Sequence, residues 1–362
     1  MQMNVDLHFM SRAFDLASQG RYTTTPNPCV GCVIVSDGQV IGEGFHRKAG
    51  EAHAEIAALQ AATDTVAGTD VYVTLEPCSH HGRTGPCVEA LIEAKVARVV
   101  IGNEDPNPKV AGQQQLKEAG IEVVTGLFAE RGEALNRGFF KRQRTGRPFV
   151  KIKLGTSLDF SAALANGDSQ WITGAAARGD VQRLRAESCA IISGVGTVIA
   201  DDPRFTVRAQ RLEMAGRQPT RVILDHHLRT PVQSKLLAES GATIIYTTSS
   251  DANKIDALSN SGALVETLGE LDDLDALLKA LGRREMNEVM IEAGPTLAGA
   301  AIEQAVFDEL IVYLAPKILG RGSRAAAQVS GIEQLPEKNP LALVDVTQFD
   351  EDVRLTYIPA KN

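Results

Sequence analysis

Three side chains able to bind soft and borderline metal ions lie in one short stretch: His53, Cys78 and Cys87, with Glu55 two residues past the histidine. An imidazole and two thiolates suit Zn²⁺, and three protein ligands leave the fourth tetrahedral position for water. Bound zinc lowers the pKa of that water toward neutrality and makes hydroxide available at physiological pH. Glu55 then reads as the proton shuttle rather than a ligand. A two-residue step is awkward within a helix, where neighbours on one face are three or four apart. The spacing therefore places His53 at a helix entrance. Cys78 and Cys87 likewise precede or open a helical segment, where the positive end of the helix dipole favours a thiolate. The competing readings are inert buried cysteines or a closed structural site completed by His80 or His81. The accompanying carboxylate and the junction positions favour catalysis.

The pattern H-x-E…P-C-x-x-C is a zinc deaminase signature. This chain matches it in residue type, but eight residues, SHHGRTGP, separate the cysteines instead of two. Cys29 and Cys32 form a second C-x-x-C at the start of a strand with no further ligand pair, so core packing outranks redox chemistry there. Cys189 reads as core too. His226 and His227 follow a strand, where a solvated loop and a ligand contact are equally open. His8 and His46 have no evident partners. Farther along, Gly294-Pro295-Thr296-Leu297 follows a strand and opens a helix, where free backbone N–H groups suit a cofactor phosphate. No G-x-G-x-x-G occurs, so a Rossmann cofactor site is not supported.

The elements that must hold these residues follow from periodicity. Residues 5–19 carry apolar residues at helical spacing, and Gly20 is a plausible stop. Strands fall at 30–35 and 40–44 around the Ser36-Asp37-Gly38 turn. Then come a helix at 53–62, a strand at 71–75, a helix at 88–94, a strand at 96–101, a helix at 113–119 and a strand at 121–124. Residues 141–150, KRQRTGRPFV, are basic and carry Gly146 and Pro148, so they read as an interdomain linker. Beyond it, strands at 150–154, 190–192, 222–224, 243–246, 289–291 and 310–314 are interspersed with helices near 175–187, 272–281 and 296–304. Two α/β domains result, with boundaries at 1–146 and 147–362.

Composition sets the outer limits. A chain of 362 residues is long enough for two cores. Its 45 Asp plus Glu against 37 Lys plus Arg argue against a broad nucleic-acid footprint but leave room for a local pocket for a small phosphorylated molecule. No apolar run reaches bilayer-spanning length and the N-terminus lacks a signal-peptide pattern. An odd count of five cysteines speaks against a disulfide framework. The expected compartment is the cytoplasm.

With these residues in hand, the chain resembles the bifunctional riboflavin-biosynthesis deaminase/reductase family over nearly its whole length. In the first half the resemblance rests on TTPNPCVGCVIV (24–35), GEAHAEIAAL (50–59), VTLEPCSHHGRTGPC (73–87) and DPNPKVAG (105–112). In the second it rests on KIKLGTSLD (151–159), SQWIT (169–173), ADDPRFTVR (200–208), EAGPTLAGA (292–300) and DELIVYLAPKILG (308–320). It implies a cytidine-deaminase-like three-layer domain followed by a dihydrofolate-reductase-like domain. The two would act in turn on a small phosphorylated pyrimidine, first with Zn²⁺ and then with NADPH. By the same resemblance Asn27 and Arg83 would hold the deaminase substrate. Gly155, Trp171, Thr197, Asp201, Gly294, Pro295, Thr296 and Leu297 would contact NADPH. Ser169, Arg185, Arg208 and Glu292 would contact the reductase substrate, with Arg185 and Arg208 as phosphate clamps. Trp171, the only tryptophan, reads equally as core.

Two departures stand out. The family usually has Gly where Phe160 follows Asp159, and a bulky ring could fill part of the cleft. Gln113-Gln114-Gln115 replace a segment that tends to hold another Gly, so a local loop change beside the deaminase pocket is expected. Gly85, where Pro is common, is a tolerated change. Homo-oligomerisation is open. The alternatives are a deaminase whose second domain is a scaffold, a nucleic-acid base deaminase and a non-enzymatic zinc module.

Overall fold

The computed structural model describes residues 2–79, 85–330, 333–334 and 340–360. The chain divides into two compact units, Met1–Gly146 and Arg147–Asn362. The first holds α1 (Gln2–Ser18), β1 (Gly31–Ser36), β2 (Gln39–Phe45), α2 (Ala54–Gln60), β3 (Asp70–Leu75) and α3 (Cys87–Glu93). It continues with β4 (Arg98–Asn103), α4 (Gly112–Glu118), β5 (Glu122–Thr125), α5 (Ala129–Leu135) and α6 (Arg137–Thr145).

Its sheet runs β2-β1-β3-β4-β5, with β1 antiparallel to both neighbours and β3, β4 and β5 parallel. The β1–β2 hairpin turns on Asp37 and Gly38, both at positive φ (49° and 76°), as a two-residue turn matched to strand twist requires. Strand alternation divides the apolar residues between two faces. Val33, Val35, Tyr72 and Val100 pack under α1, while Ile34, Val71, Val73, Val99 and Ile101 pack under α2, α3 and α4. This makes three layers, helix on sheet on helix.

The division between the two units falls inside segment 141–150, after Gly146, but most of the segment is helix or strand rather than loop. Helix α6 runs through Thr145 and stops at Gly146, whose φ of 72° is left-handed, and the next strand begins at Phe149. The basic residues mark a solvated helix face. Arg144 pairs with Glu133 and lies over the Phe140 ring at 5.0 Å.

The second unit contains β6 (Phe149–Thr156), β7 (Ser161–Ala163), α7 (Ala175–Glu187), β8 (Ala190–Gly194), α8 (Val195–Asp201), β9 (Thr220–Leu224), α9 (Lys235–Ala238), β10 (Thr243–Thr247) and α10 (Ala252–Asn260). It ends with β11 (Ala263–Thr267), α11 (Leu274–Arg283), β12 (Glu288–Ile291), α12 (Pro295–Glu303), β13 (Glu309–Leu314), β14 (Arg324–Ala325), β15 (Leu341–Phe349) and β16 (Asp352–Pro359). Among the described residues one large sheet runs β11-β10-β9-β8-β12-β6-β13-β16-β15. Its first seven strands are parallel; β16 and β15 are antiparallel. Helices α11 and α12 cover one face over Val150, Ile152, Ile192 and Ile291, and α7, α8, α9 and α10 the other over Ile191, Ile223, Ile245 and Met290. Both faces being covered explains the continuous apolar runs of these strands. Helices α8 and α10, strand β11 and the β15–β16 hairpin were not legible in the periodicity. On β15 the apolar Leu343, Val344 and Val346 are exposed at the sheet edge, which blurs the alternation that marks a half-buried strand. No helix among the described residues is long and apolar enough to cross a membrane.

Close backbone approach fixes α2, which carries Glu55. A Cβ on Gly44 would stand 2.7 Å from the Ala58 amide, and one on Gly42 2.5 Å from the Ala58 carbonyl. Gly44→Ala should therefore destabilise the first unit by about 1–3 kcal/mol through overpacking. Gly85→Ala, with no described residue within 4 Å of the new methyl, should leave the denaturant midpoint unchanged.

Candidate active sites

In the first unit the starts of two helices and the end of a strand meet. His53 is the N-cap of α2 (φ −70°, ψ 163°), Cys87 is the first residue of α3, and Cys78 follows β3. His53 Nδ1 lies 3.5 Å from Cys78 Sγ and 3.3 Å from Cys87 Sγ, and the three donor atoms all fall within 4.8 Å of one another. Tetrahedral zinc, with bonds of about 2.0–2.3 Å to N and S, demands an N···S separation of roughly 3.6 Å. The donor set and its spacing thus fit the ion.

Electrostatics already favour a thiolate here. Cys78 is held well below the usual thiol range, first by the Cys87 thiol and also by the His53 imidazole and the Cys87 amide, which donates to its sulfur at 3.3 Å. Cys87 is pushed up by that thiolate and by burial. His53 is raised, chiefly by its bond to Cys78. Glu55 is 4% exposed, and burial pushes its carboxyl up to about 7.

Asn27 and His46 stand beside this cluster. The His46 ring packs edge-on against His53 at 5.4 Å, and its Nε2 lies 3.0 Å from Asn27 Nδ2. His46 thus has the partners that sequence reading did not find; they come from residues 19 and 6 positions away, with no motif to announce them. Glu76 was also missed. Its carboxylate accepts from the amides of Asp105 (3.2 Å) and Gln113 (2.9 Å), while Ser79 Oγ accepts from Ala111 N (2.8 Å). These bonds pin segment 105–113 to the strand end that carries Cys78, and Gln113-Gln114-Gln115 simply continue α4 from Gly112. A carboxylate directly before Pro77-Cys78 was the available signal. Arg83, His80 and His81 lie outside the described residues. Cys29 and Cys32 are buried, and Cys189 packs half-buried against the core. His226 reaches Asp272 at 3.2 Å.

In the second unit the candidate residues gather at the carboxyl ends of β6, β8 and β12, the crevice where open α/β sheets bind ligands. Glu292 follows β12 and takes a bidentate pair from Arg185 of α7 (2.9 and 2.8 Å); Lys153 Nζ lies 3.9 Å away. Burial would raise the Glu292 carboxyl, but the charges of Arg185 and Lys153 outweigh it and hold it at about 2. Arg185 spends its remaining terminal nitrogen on the Thr206 carbonyl (3.1 Å). Among the described residues the Arg208 guanidinium is tied by one nitrogen to Thr206 (3.2 Å to Oγ1), with its amide on Gln182. Lys153 was overlooked because KIKLGTSLD reads as a plain strand.

Thr197 Oγ1 accepts from Gly294 N at 3.1 Å, which sets the starts of α8 and α12 side by side. Gly194 and Gly196 have open space where side chains would be, and the first-turn amides of Thr296 and Leu297 lie beyond Gly294 and Pro295. Two glycines and a helix start with free N–H donors fit a dinucleotide phosphate. Gly155 ends β6 beside Lys153 Nζ, and Asp201 is exposed at the end of α8. Ser169 is half-buried. Trp171 is 63% exposed with the Arg178 guanidinium 4.6 Å from its ring, so it is not core. Phe160 takes a left-handed φ of 55°, as the glycine would, and its ring is 44% exposed. Its amide donates to Ser157 O and its carbonyl accepts from Ala326 N.

Because Glu292 ionises at about 2 when folded and near 4.5 ordinarily, its stabilisation is present above the higher value and lost as pH falls toward the lower. Glu292→Gln should therefore lower stability at neutral pH and flatten the acid limb between those values, as read by denaturant unfolding across pH.

Residues 3–103 match the cytidine and deoxycytidylate deaminase zinc-binding region, and residues 148–355 match the RibD C-terminal domain. The riboflavin biosynthesis protein RibD of Escherichia coli K12 is 45% identical over 98% of this chain and all of its own length; that of Haemophilus influenzae is 44% identical over 98% and 97%. Among solved structures, Acinetobacter baumannii RibD superposes with a TM-score of 0.93 at 42% identity, covering 99% of this chain and 100% of that one. A Thermotoga maritima diaminohydroxyphosphoribosylaminopyrimidine deaminase/5-amino-6-(5-phosphoribosylamino)uracil reductase superposes with a TM-score of 0.89 at 32% identity, covering 99% and 100%.

Proposed function

The chain belongs to the RibD family of riboflavin-biosynthesis deaminase/reductases, and on that premise we propose that it performs both reactions, with Glu55 and the His53–Cys78–Cys87 cluster as the deaminating centre. The substrate is 2,5-diamino-6-(5-phosphoribosylamino)pyrimidin-4-one. Water replaces one ring amino group, which leaves as ammonia, and the product's ribosyl group is then reduced to ribityl. The observation that carries the reading is the meeting of His53 Nδ1 with both sulfurs beside a buried carboxyl.

His53, Cys78 and Cys87 would hold Zn²⁺, which supplies a Lewis acid that makes water nucleophilic at neutral pH. Glu55, poised near 7 by burial, accepts a proton on its carboxylate from the attacking water and returns it to the departing amine. Asn27 orients the pyrimidine, and the anchors from Glu76 and Ser79 hold the Cys78 loop in register. In the second unit the starts of α8 and α12, with Gly155, Trp171, Thr197 and Asp201, would bind NADPH, which supplies the hydride. Arg208 retains uncommitted guanidinium N–H groups and takes the substrate phosphate. Arg185 directs three of its five N–H groups at Glu292 and Thr206, so it orients Glu292 toward the substrate and keeps two N–H groups for the phosphate. Ser169 completes the substrate contacts. The acidic total charge supports a small-molecule substrate over nucleic acid. Among the described residues no helix is long and apolar enough to cross a membrane, and the proposed compartment is the cytoplasm.

Glu55→Gln should keep its zinc, lose ammonia release by about 10²-fold or more and still oxidise NADPH on the pre-deaminated compound. Cys78→Ser should lose the metal, as read by metal analysis. Phe160→Gly should change NADPH oxidation by no more than a few-fold. A large gain would instead mean that the ring obstructs the cleft. Ammonia release without NADPH oxidation by the unsubstituted protein would leave the second unit as a scaffold.

A further inference from the structure

The buried polar group that the deamination chemistry leaves unused is His46. It is 3% exposed and packs edge-on against His53 of the metal cluster. Its two nitrogens meet different groups, of which the first has a fixed role. Nδ1 lies 3.0 Å from the Ala52 carbonyl oxygen, which can only accept, so Nδ1 bears the proton. Nε2 is then a lone pair, and at 3.0 Å it faces Asn27. An amide oxygen set against that lone pair would be repelled; the amide nitrogen is attracted. The orientation of Asn27 is therefore decided by a backbone carbonyl one step removed.

We propose that His46 is a positioning residue for deamination: it fixes the Asn27 amide with Nδ2 inward, so that Oδ1 is the arm left to accept a hydrogen bond from an N–H on the pyrimidine. Among the described residues Asn27 Oδ1 has no hydrogen-bond partner. The frame around the pair is stiff. Asn27 N donates to Thr24 O at 2.9 Å, His46 N to Val30 O at 2.9 Å, and a Cβ on Gly20 would stand 2.7 Å from His46 O. The consequence is selectivity for a donor on the ring edge that Asn27 meets. A ring nitrogen without hydrogen at that edge would find a second acceptor opposite it.

This role rests on the deaminase reading above, and the test separates the two. Ammonia release is measured on the full-length, zinc-loaded protein and on His46→Phe, Asn27→Ala and the double variant, with zinc content measured alongside. His46→Phe should lower kcat/KM by about 10²-fold, the scale of a lost orienting contact, with zinc retained. In the Asn27→Ala background the same change should cost less than about twofold, because a residue acting only through its neighbour is non-additive with it. His46→Gln, whose Oε1 can still accept from Asn27, should recover most of the rate. Nitrogen-15 NMR of labelled histidine should show His46 protonated at Nδ1 and bare at Nε2. Additive losses, a loss that tracks missing zinc, no recovery in His46→Gln or the opposite tautomer would each overturn the proposal. Should the unsubstituted protein release no ammonia, the deaminase reading fails and this role fails with it.

Discussion

Two thiols and an imidazole can share one cation only if the backbones that carry them come within a few ångströms of a common point, and much of the first unit's architecture meets that demand. Cys78 leaves a central strand, while His53 and Cys87 each stand at a helix start. Helix starts supply both the change of backbone direction and a positive field for sulfur. To bring α2 into place, β2 carries glycines at positions 42 and 44, where a methyl group would collide with the Ala58 backbone. Core packing under α2 and α3 then holds both starts against the sheet. The same convergence leaves Glu55 buried beside the sulfurs, and burial is what moves its carboxyl into the range where it can both take and give a proton.

The second unit uses a different solution to gather polar groups on an apolar scaffold. Its parallel strands are covered on both faces, so their carboxyl ends form the open crevice. Glu292 is desolvated there and remains ionised because Arg185 and Lys153 lie against it. A buried carboxylate stripped of either cation would be left uncompensated, so the three residues act as one unit. Across the same crevice a single hydroxyl, Thr197, ties two helix starts together. The left-handed turn at Phe160 keeps a glycine-like backbone with the ring exposed, so the departure from the family pattern is absorbed without altering the strand before it.

Much of this was readable from residue order. The alternating apolar runs from Val30 to Val124 correspond to the strands of the first sheet. The His53–Glu55–Cys78–Cys87 pattern pointed to metal chemistry, because few other uses need those residue types together at helix entrances. Where reading failed, the missing information was non-local. The basic stretch 141–150 holds the division between the units, but the helix through its first half was missed because charge reports solvation, not helix content. The hairpin β15–β16 was hidden because its apolar side chains lie exposed on an edge. Short helices such as α8, seven residues long, owe their existence to packing rather than to periodicity.

Residue types and local spacing thus determined the chemistry on offer: a zinc-type donor set, a nearby carboxylate, an α/β alternation and a helix start suited to phosphate. Only the tertiary structure decided which groups are partners. It gave His46 to Asn27, Glu76 to the 105–113 segment and Arg185 to Glu292. The reason is physical. A motif records what a side chain can donate or accept, whereas its orientation, charge state and remaining capacity depend on neighbours that folding brings from elsewhere in the chain.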